Sequence, residues 1–207
     1  MTSRGDDAQT MRIRVLSQID PASPRTNSIA DLRFCAGLAQ GGHRVELVVP
    51  ATTRVTPPAV ELLARYGLDP SFDVQYLHVG KGLDGRDRIA VLGLLFRHAS
   101  GPARQSRAEV VISRDVRLLV PYMFVDRLPG RNVLVVPWLH EFRDRRLERL
   151  ACSAVPVVLA TNSAIVADMK RRGITKPGSF LTGNPVPRER VRFGRTCSRA
   201  DALTPLG

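Results

Sequence analysis

The segment LVVPWLHEFRD, residues 134–144, places His140, Glu141 and Arg143 directly after an apolar run. An imidazole exchanges protons near neutral pH, a neighbouring carboxylate can act as a base, and a guanidinium binds phosphate or carboxylate groups. The same arrangement, an apolar run and then polar side chains, recurs at four other places. Asp20, Arg25, Thr26 and Asn27 follow residues 13–16; Ser113, Arg114 and Asp115 follow 110–112; Thr161, Asn162 and Ser163 follow 155–159; Gly183 and Asn184 follow 179–182. Short aliphatic connections would satisfy folding alone, so these groups are candidates for holding a polar substrate.

Each candidate also has an ordinary structural role open to it. Asn27, Ser28 and Asn162 suit helix N-caps. Arg114 and Asp115 suit a surface ion pair, which carries little energy. His140 runs on from Trp138-Leu139 and suits a buried, hydrogen-bonded histidine, and Glu141 can pair with Arg143 or Arg145. Gly183-Asn184-Pro185 suits a turn. His43, between a glycine pair and a strand, reads as structural.

The elements that would position these residues alternate. Residues 1–10 are polar and aperiodic and are expected to be a disordered tail. Strands are expected over 13–16, 45–49, 74–79, 110–112, 133–136, 155–159 and 179–182. Helices are expected from Ser28 to the Gly41-Gly42 pair, over 58–66, over 86–97, from Val116, and over 162–172 up to Gly173. The fourth of these has Val116, Leu119, Val120, Met123 and Phe124 on one face. Pro121 lies inside it and is expected to kink or split it. A polar segment rich in Arg, Glu and Asp, with no helix assigned to it, follows the fifth strand. Residues 187–207 are expected to be a linker or loose tail. The first strand–helix–strand unit fits within residues 13–49, the length of a parallel crossover. Parallel strands joined by right-handed crossovers share one C-terminal edge, where ligands bind, whatever the strand order. The working residues should collect there, and His43 falls at the opposite edge.

Of 207 residues, 43% are hydrophobic and 5% aromatic, enough for one well-cored domain with an aliphatic core. The net charge is +12, and only Lys81, Lys170 and Lys176 of the 31 basic residues are lysines. A basic surface attracts nucleic acid, anionic lipid or phosphorylated small molecules. Jointly high Arg, Ala, Gly and Pro is also what a GC-rich coding sequence produces, so charge alone selects no partner. Cys35, Cys152 and Cys197 have no CxxC or Cys/His metal spacing, and free thiols in a cytosolic protein are expected. The longest apolar run, residues 89–96, is far short of the roughly 20 residues of a membrane span, and there is no signal-peptide pattern. The loop between the first strand and its helix, where a GxGxxG fingerprint would stand, contains no glycine, and GxxxxGK[ST], HExxH and GxSxG are absent from the sequence, which argues against a dinucleotide or ATP-hydrolysing site. Without an RNP motif, a zinc finger or a platform of aromatics, no nucleic-acid partner is expected.

With its elements in this order the sequence resembles the family 4 glycosyltransferases of the GT-B fold. SIADLRFCAGLAQGGHRVELVVP (residues 28–50) is similar to their first helix and second strand, with Gly42-His43-Arg44-Val45 matching Gly-His-x-Val. The preceding DPASPRTNSI resembles a proline- and serine-containing loop variant. VVISRDVRLL (110–119) is similar to the mid-domain strand followed by Arg-Asp or Arg-Ser, and LVVPWLHEFRD to the strand ending in a histidine segment. The fullest match is VPVVLATNSAIVADMKRRGITKPGSFLTGNPVP (155–187). Here Gly183-Asn184-Pro185-Val186 stands where members have Asn-Gly-Val-Asp or Asn-Pro-Val-Asp, with Pro187 in place of the aspartate. Order and spacing over residues 11–187 carry the resemblance, which covers one half of a two-domain architecture.

The resemblance implies a Rossmann-like α/β domain over residues 11–186, a mainly parallel sheet flanked by helices. It implies retaining transfer from a nucleotide-sugar donor to a glycan or lipid-linked acceptor, with no metal or other cofactor. His140 takes the place of the histidine that contacts the donor sugar near the reaction centre. Arg25, Thr26, Asn27 and Ser28 take the place of the acceptor-side loop. Arg114, Asp115, Glu141, Thr161, Asn162, Ser163 and Asn184 are expected to line the cleft. The donor-side domain, with its Glu-x7-Glu pair, is not found in this sequence. The expectation is therefore an acceptor half, truncated or paired with a separate donor-domain subunit, inactive alone and cytoplasmic. The alternative is a non-catalytic module that binds an acceptor, a partner or the inner face of the membrane, where residues 89–96, flanked by Arg86, Arg88 and Arg97, suit an anionic surface. An unrelated flavodoxin-like or nucleotide-binding domain is a third reading.

Overall fold

The computed structural model describes residues 10–17, 26–51, 58–78, 85–100, 109–127, 133–143, 145–174 and 180–181. Within them the chain runs β1 (Arg12–Leu16), α1 (Thr26–Gln40), β2 (Arg44–Ala51), α2 (Ala59–Arg65), β3 (Asp73–His78), α3 (Gly85–Ser100), β4 (Glu109–Ser113), α4 (Val116–Val125), β5 (Val133–Leu139), α5 (Arg146–Ala154), β6 (Leu159–Ala160), α6 (Ser163–Arg171) and β7 (Phe180–Leu181). The strands form one seven-stranded sheet in the order β3-β2-β1-β4-β5-β6-β7, and every neighbouring pair is parallel. This is the Rossmann-like α/β class expected from the sequence. The chain runs outward from β1 to β3, then returns to β4 and runs outward the other way. The order left open by the sequence is thereby fixed, and the topological switch point lies between β1 and β4.

Alternate strand residues feed two cores. Ile13, Val15, Leu47 and Trp138 pack with Leu32 and Cys35 of α1 and Leu62 and Leu63 of α2. Val48, Val111, Val135 and Leu139 face the other way, onto α3, α4, α5 and α6. Each such side chain contributes about 1.5–3 kcal/mol on burial. Gly42 ends α1 at φ +84, a conformation that disfavours a side chain, and its N–H donates to the Ala39 carbonyl at 2.9 Å. Gly173, at φ +77, ends α6 in the same way.

Several sequence expectations need correction. The polar segment after β5 contains α5, whose Ala151 and Cys152 are buried. The expected strand 155–159 is only Leu159–Ala160, because Pro156 has no N–H for a ladder. The α4 helix runs unbroken across Pro121. Proline removes one hydrogen bond there, and burial of Pro121 among Leu118, Tyr122 and Val125 offsets the loss. Phe124 does not belong to the buried face and is 60% exposed; two residues along a helix from Tyr122, it points to the opposite side. Thr26 is already helical, so Asn27 and Ser28 lie inside the first turn of α1 and not at its N-cap. On α3, Val91, Leu95 and Ala99 are core residues, while Phe96 and Arg97 are exposed. The expected tails lie outside the described residues, apart from Thr10. Among the described residues no helix is long and apolar enough to cross a membrane.

Candidate functional site

The site is built where β1 and β4 end side by side. Ser17 follows β1 directly, and its hydroxyl donates to Asp31 Oδ2 on α1 at 2.6 Å. Ser113 closes β4, and its hydroxyl donates to the Leu16 carbonyl at 2.8 Å, joining residues 97 positions apart. The Ser113 Oγ also accepts from the Asp115 N–H at 3.1 Å. Arg114, on this turn, sets its Nε 3.0 Å from Asp31 Oδ1. Neither of those atoms completes an aligned hydrogen bond, so the contact is a close ion pair. The Arg114 guanidinium lies over the Trp138 ring, 4.2 Å from its centroid. Trp138 stacks on Phe34 of α1 at 4.2 Å and 29°. The His140 ring lies 4.9 Å from Trp138, tilted by 54°.

Burial raises the proton affinity of the Asp31 carboxyl, with Arg114 and Ser17 acting against it. Burial also weakens the hold of Arg114 on its proton, with Asp31 acting against that. On both partners desolvation outweighs attraction, as is common for buried ion pairs. His140 is lowered to about 4, first by partial burial and then by the charge of Arg114, with Glu141 acting in the opposite sense. At neutral pH it is an uncharged imidazole, able to donate one hydrogen bond and accept another. Glu141 is lowered chiefly by its hydrogen bond with Arg143.

A cleft of about 570 Å³ opens along this edge. Of the residues singled out in the sequence, Arg114, Asp115, His140, Glu141 and Arg143 line it. Arg114 and Asp115 do not pair with each other: Asp115 caps α4 by accepting from the Arg117 N–H at 2.9 Å and binds the Arg117 guanidinium at 2.6 Å. Glu141 pairs with Arg143, the ordinary role open to it. His140 is exposed, not a buried histidine.

Thr161, Asn162 and Ser163 stand apart, past the end of β6, two strands from the switch point. The Thr161 N–H bonds the Leu139 carbonyl at 3.0 Å, and Asn162 caps α6 by accepting from the Ile165 N–H at 3.0 Å. Thr26, Asn27 and Ser28 begin α1, with side chains that are not described; Arg25 and Asn184 lie outside the described residues. Sequence reasoning missed Ser17, Asp31, Arg117 and Glu148, all of which line the cleft. A signal existed for Asp31: it shares a helical stripe with Cys35 and Leu38, and a carboxylate on a buried stripe requires a partner. Among the described residues no cluster of His, Cys, Asp or Glu could hold a metal ion.

No family model and no curated protein matches this sequence. Solved structures do match. A protein assigned as a UDP-N-acetylglucosamine 2-epimerase, from Listeria monocytogenes, has a TM-score of 0.56 at 12% identity, over 84% of this chain and 46% of its own. UGT2 of Phytolacca americana, complexed with UDP-2fluoro-glucose and pterostilbene, has a TM-score of 0.55 at 11% identity, over 91% of this chain and 58% of its own. At these identities the likeness shows the fold: a Rossmann-like domain matching part of GT-B-type enzymes. The chain spans about half the length of these structures.

Proposed function

We propose that this domain is the acceptor-side half of a retaining, family 4 type glycosyltransferase, working against a second half that holds a nucleotide-sugar donor. The observation that carries the reading is the cleft at the β1/β4 switch point, with His140 and the Arg114–Asp31 pair on its wall. A fold neighbour holds UDP-2fluoro-glucose and pterostilbene together, which supports the substrate kind. Glycosyl transfer passes through a cation-like sugar, and its rate comes from positioning and electrostatics in a dry cleft. An uncharged His140 can bond a sugar hydroxyl without repelling that cation. The reading calls for no resident metal, and the acceptor is a glycan or a lipid-linked acceptor.

One wall supplies no clamp for the donor pyrophosphate. The 207-residue chain alone is therefore expected to show no turnover across a panel of UDP-, GDP- and ADP-sugars. In NMR titrations, mono- and disaccharide acceptors are expected to shift the His140 and Trp138 ring signals. Turnover by the chain alone, or tighter binding of NAD or ATP than of any sugar at that cleft, would overturn the reading.

A second reading, peripheral contact with an anionic membrane, is favoured by α5. Leu147 and Leu150 are 41% and 67% exposed beside the exposed Arg145, Arg146 and Arg149, the pattern of an interfacial helix. In this reading the contact surface is assigned to α5. Co-sedimentation with phosphatidylglycerol vesicles is expected for the native chain and lost in Leu147→Ser/Leu150→Ser and in Arg146→Glu/Arg149→Glu. Undiminished binding by both variants would remove α5 from consideration.

A further inference from the structure

We propose that Asp31 is a positioning residue: anchored by Ser17, it holds the Arg114 guanidinium on the buried Trp138 ring and so fixes where that cation stands beside His140 on the cleft wall. The proposal rests on His140 being the working group named above, but its test reads the imidazole directly and can fail independently of any activity.

Asp31 is only 4% exposed, and a carboxylate so buried persists only where it is partnered. Both its oxygens are engaged, Oδ2 by Ser17 at 2.6 Å and Oδ1 by Arg114 at 3.0 Å. Arg114 has little else to hold it. Its Nη2 is buried with no hydrogen-bond partner among the described residues. Among the described residues its other contact is the face of Trp138, and cation–π attraction there contributes about 1–2 kcal/mol. Without the carboxylate, the long side chain is free to turn into the open cleft that it already lines.

Stability is not what this pair supplies. Burial disfavours the charged form of both partners, and buried pairs of this kind can be replaced by apolar residues with little loss. What the pair does supply is geometry. It ties α1 to the end of β4, and its cation lies on the ring that His140 also touches. The charges facing His140 from other elements are largely matched. Asp115 and Arg117 of α4 bind each other, and Arg143 binds Glu141. Glu148 of α5 accepts from the Arg143 N–H at 2.8 Å, and Arg145 stands at the entry to α5. Arg114 is the cation that bears on the imidazole, and Glu141 opposes it.

The test is the proton titration of His140, followed by NMR of the imidazole in the full chain. Arg114→Gln is expected to raise the midpoint by about one pH unit or more, since it removes a neighbouring like charge. Arg114→Lys keeps the charge and is expected to move it less. Asp31→Asn is expected to raise the midpoint as Arg114→Gln does, because the guanidinium leaves the indole, and the Trp138 ring signals should shift with it. Ser17→Ala removes one anchor and is expected to act in the same direction by a smaller amount; it serves as the reading if Asp31→Asn does not fold. If Arg114→Gln moves the titration while the folded Asp31 and Ser17 variants leave it at the native value, Asp31 does not position Arg114. If Arg114→Gln itself changes nothing, the connection to His140 is broken and the proposal falls.

Discussion

Arg14→Met is expected to destabilise the domain by about 3–5 kcal/mol, read as a lower urea midpoint with an unchanged slope. Arg14 sits on β1, between β2 and β4 in the sheet, with its side chain 7% exposed. The register sets it beside Glu46 of β2. Its Nε donates to Glu46 Oε2 at 2.8 Å, its Nη1 meets Glu109 Oε1, and it lies 5.9 Å from the centre of the Tyr122 ring. Burial works against the Arg14 charge, yet Tyr122, Glu109 and Glu46 together outweigh it and raise its proton affinity. That net sign is opposite to the one at Arg114, and it distinguishes a charge that stabilises the sheet from one that shapes the cleft. Removing Arg14 leaves two carboxylates, 21% and 22% exposed, facing a strand whose other cation, the more exposed Arg12, reaches only Glu46, at 3.9 Å. The change also disturbs the layer above. Gln75 Oε1 can only accept, so His98 Nε2 donates to it at 2.7 Å. His98 Nδ1 therefore accepts from the Tyr122 hydroxyl at 2.9 Å, and that phenol, pushed up to about 12 mainly by burial, stays protonated. Adding Glu46→Gln and Glu109→Gln to Arg14→Met is expected to recover part of the loss, since the charges act as a unit. A loss below about 1 kcal/mol for Arg14→Met would show that Glu46 and Glu109 find solvent instead.

The part of the fold that repeats locally was legible in the sequence. Apolar runs of strand length, the helical stripe of Leu32 and Ala36, and the glycine stop at Gly42 each state a local preference, and the βα rhythm follows. The strand order is not local. It depends on β1 lying beside both β2 and β4, and the bond from Ser113 to the Leu16 carbonyl has no trace in residue spacing. For the same reason the site was read too broadly. Every strand ends on the same edge, but only ends near the switch point open onto the crevice, so His140 and Arg114 enter it while Thr161 and Asn162 serve the β5–β6 ladder and a helix cap. The charges around Glu148 hid α5, because its buried stripe is only Ala151 and Cys152. Arg114 was recognised and its partner was not: neighbouring Asp115 was the obvious carboxylate in sequence, whereas Asp31 is brought to it by the crossover.

Trp138→Ala is expected to cost about 3–5 kcal/mol, the range for removing a large ring from a packed core. Trp138 is 1% exposed, one of the largest side chains in the structure to be so fully enclosed. It lies in the core beneath two residues of the cleft: Phe34 stacks on it from α1, Arg114 rests on it, and His140 leans on it. Its removal opens a cavity beneath a buried ion pair, so the loss combines apolar transfer with a change in the setting of Asp31 and Arg114. Trp138→Phe separates the two contributions. The indole Nε1 has no hydrogen-bond partner among the described residues, so phenylalanine forfeits volume but no such bond, and it keeps a face for Phe34 and for the guanidinium. The phenylalanine variant is expected to lose less than half as much stability as the alanine variant and to keep the low His140 titration. In the alanine variant water reaches Arg114 and the face of the imidazole that the indole covers, and the titration should move up toward the ordinary value of about 6.5. Equal stability losses in the two variants would mean that the indole nitrogen is bonded in solution, and a His140 titration indifferent to Trp138→Ala would mean that the ring does not set the environment of the imidazole.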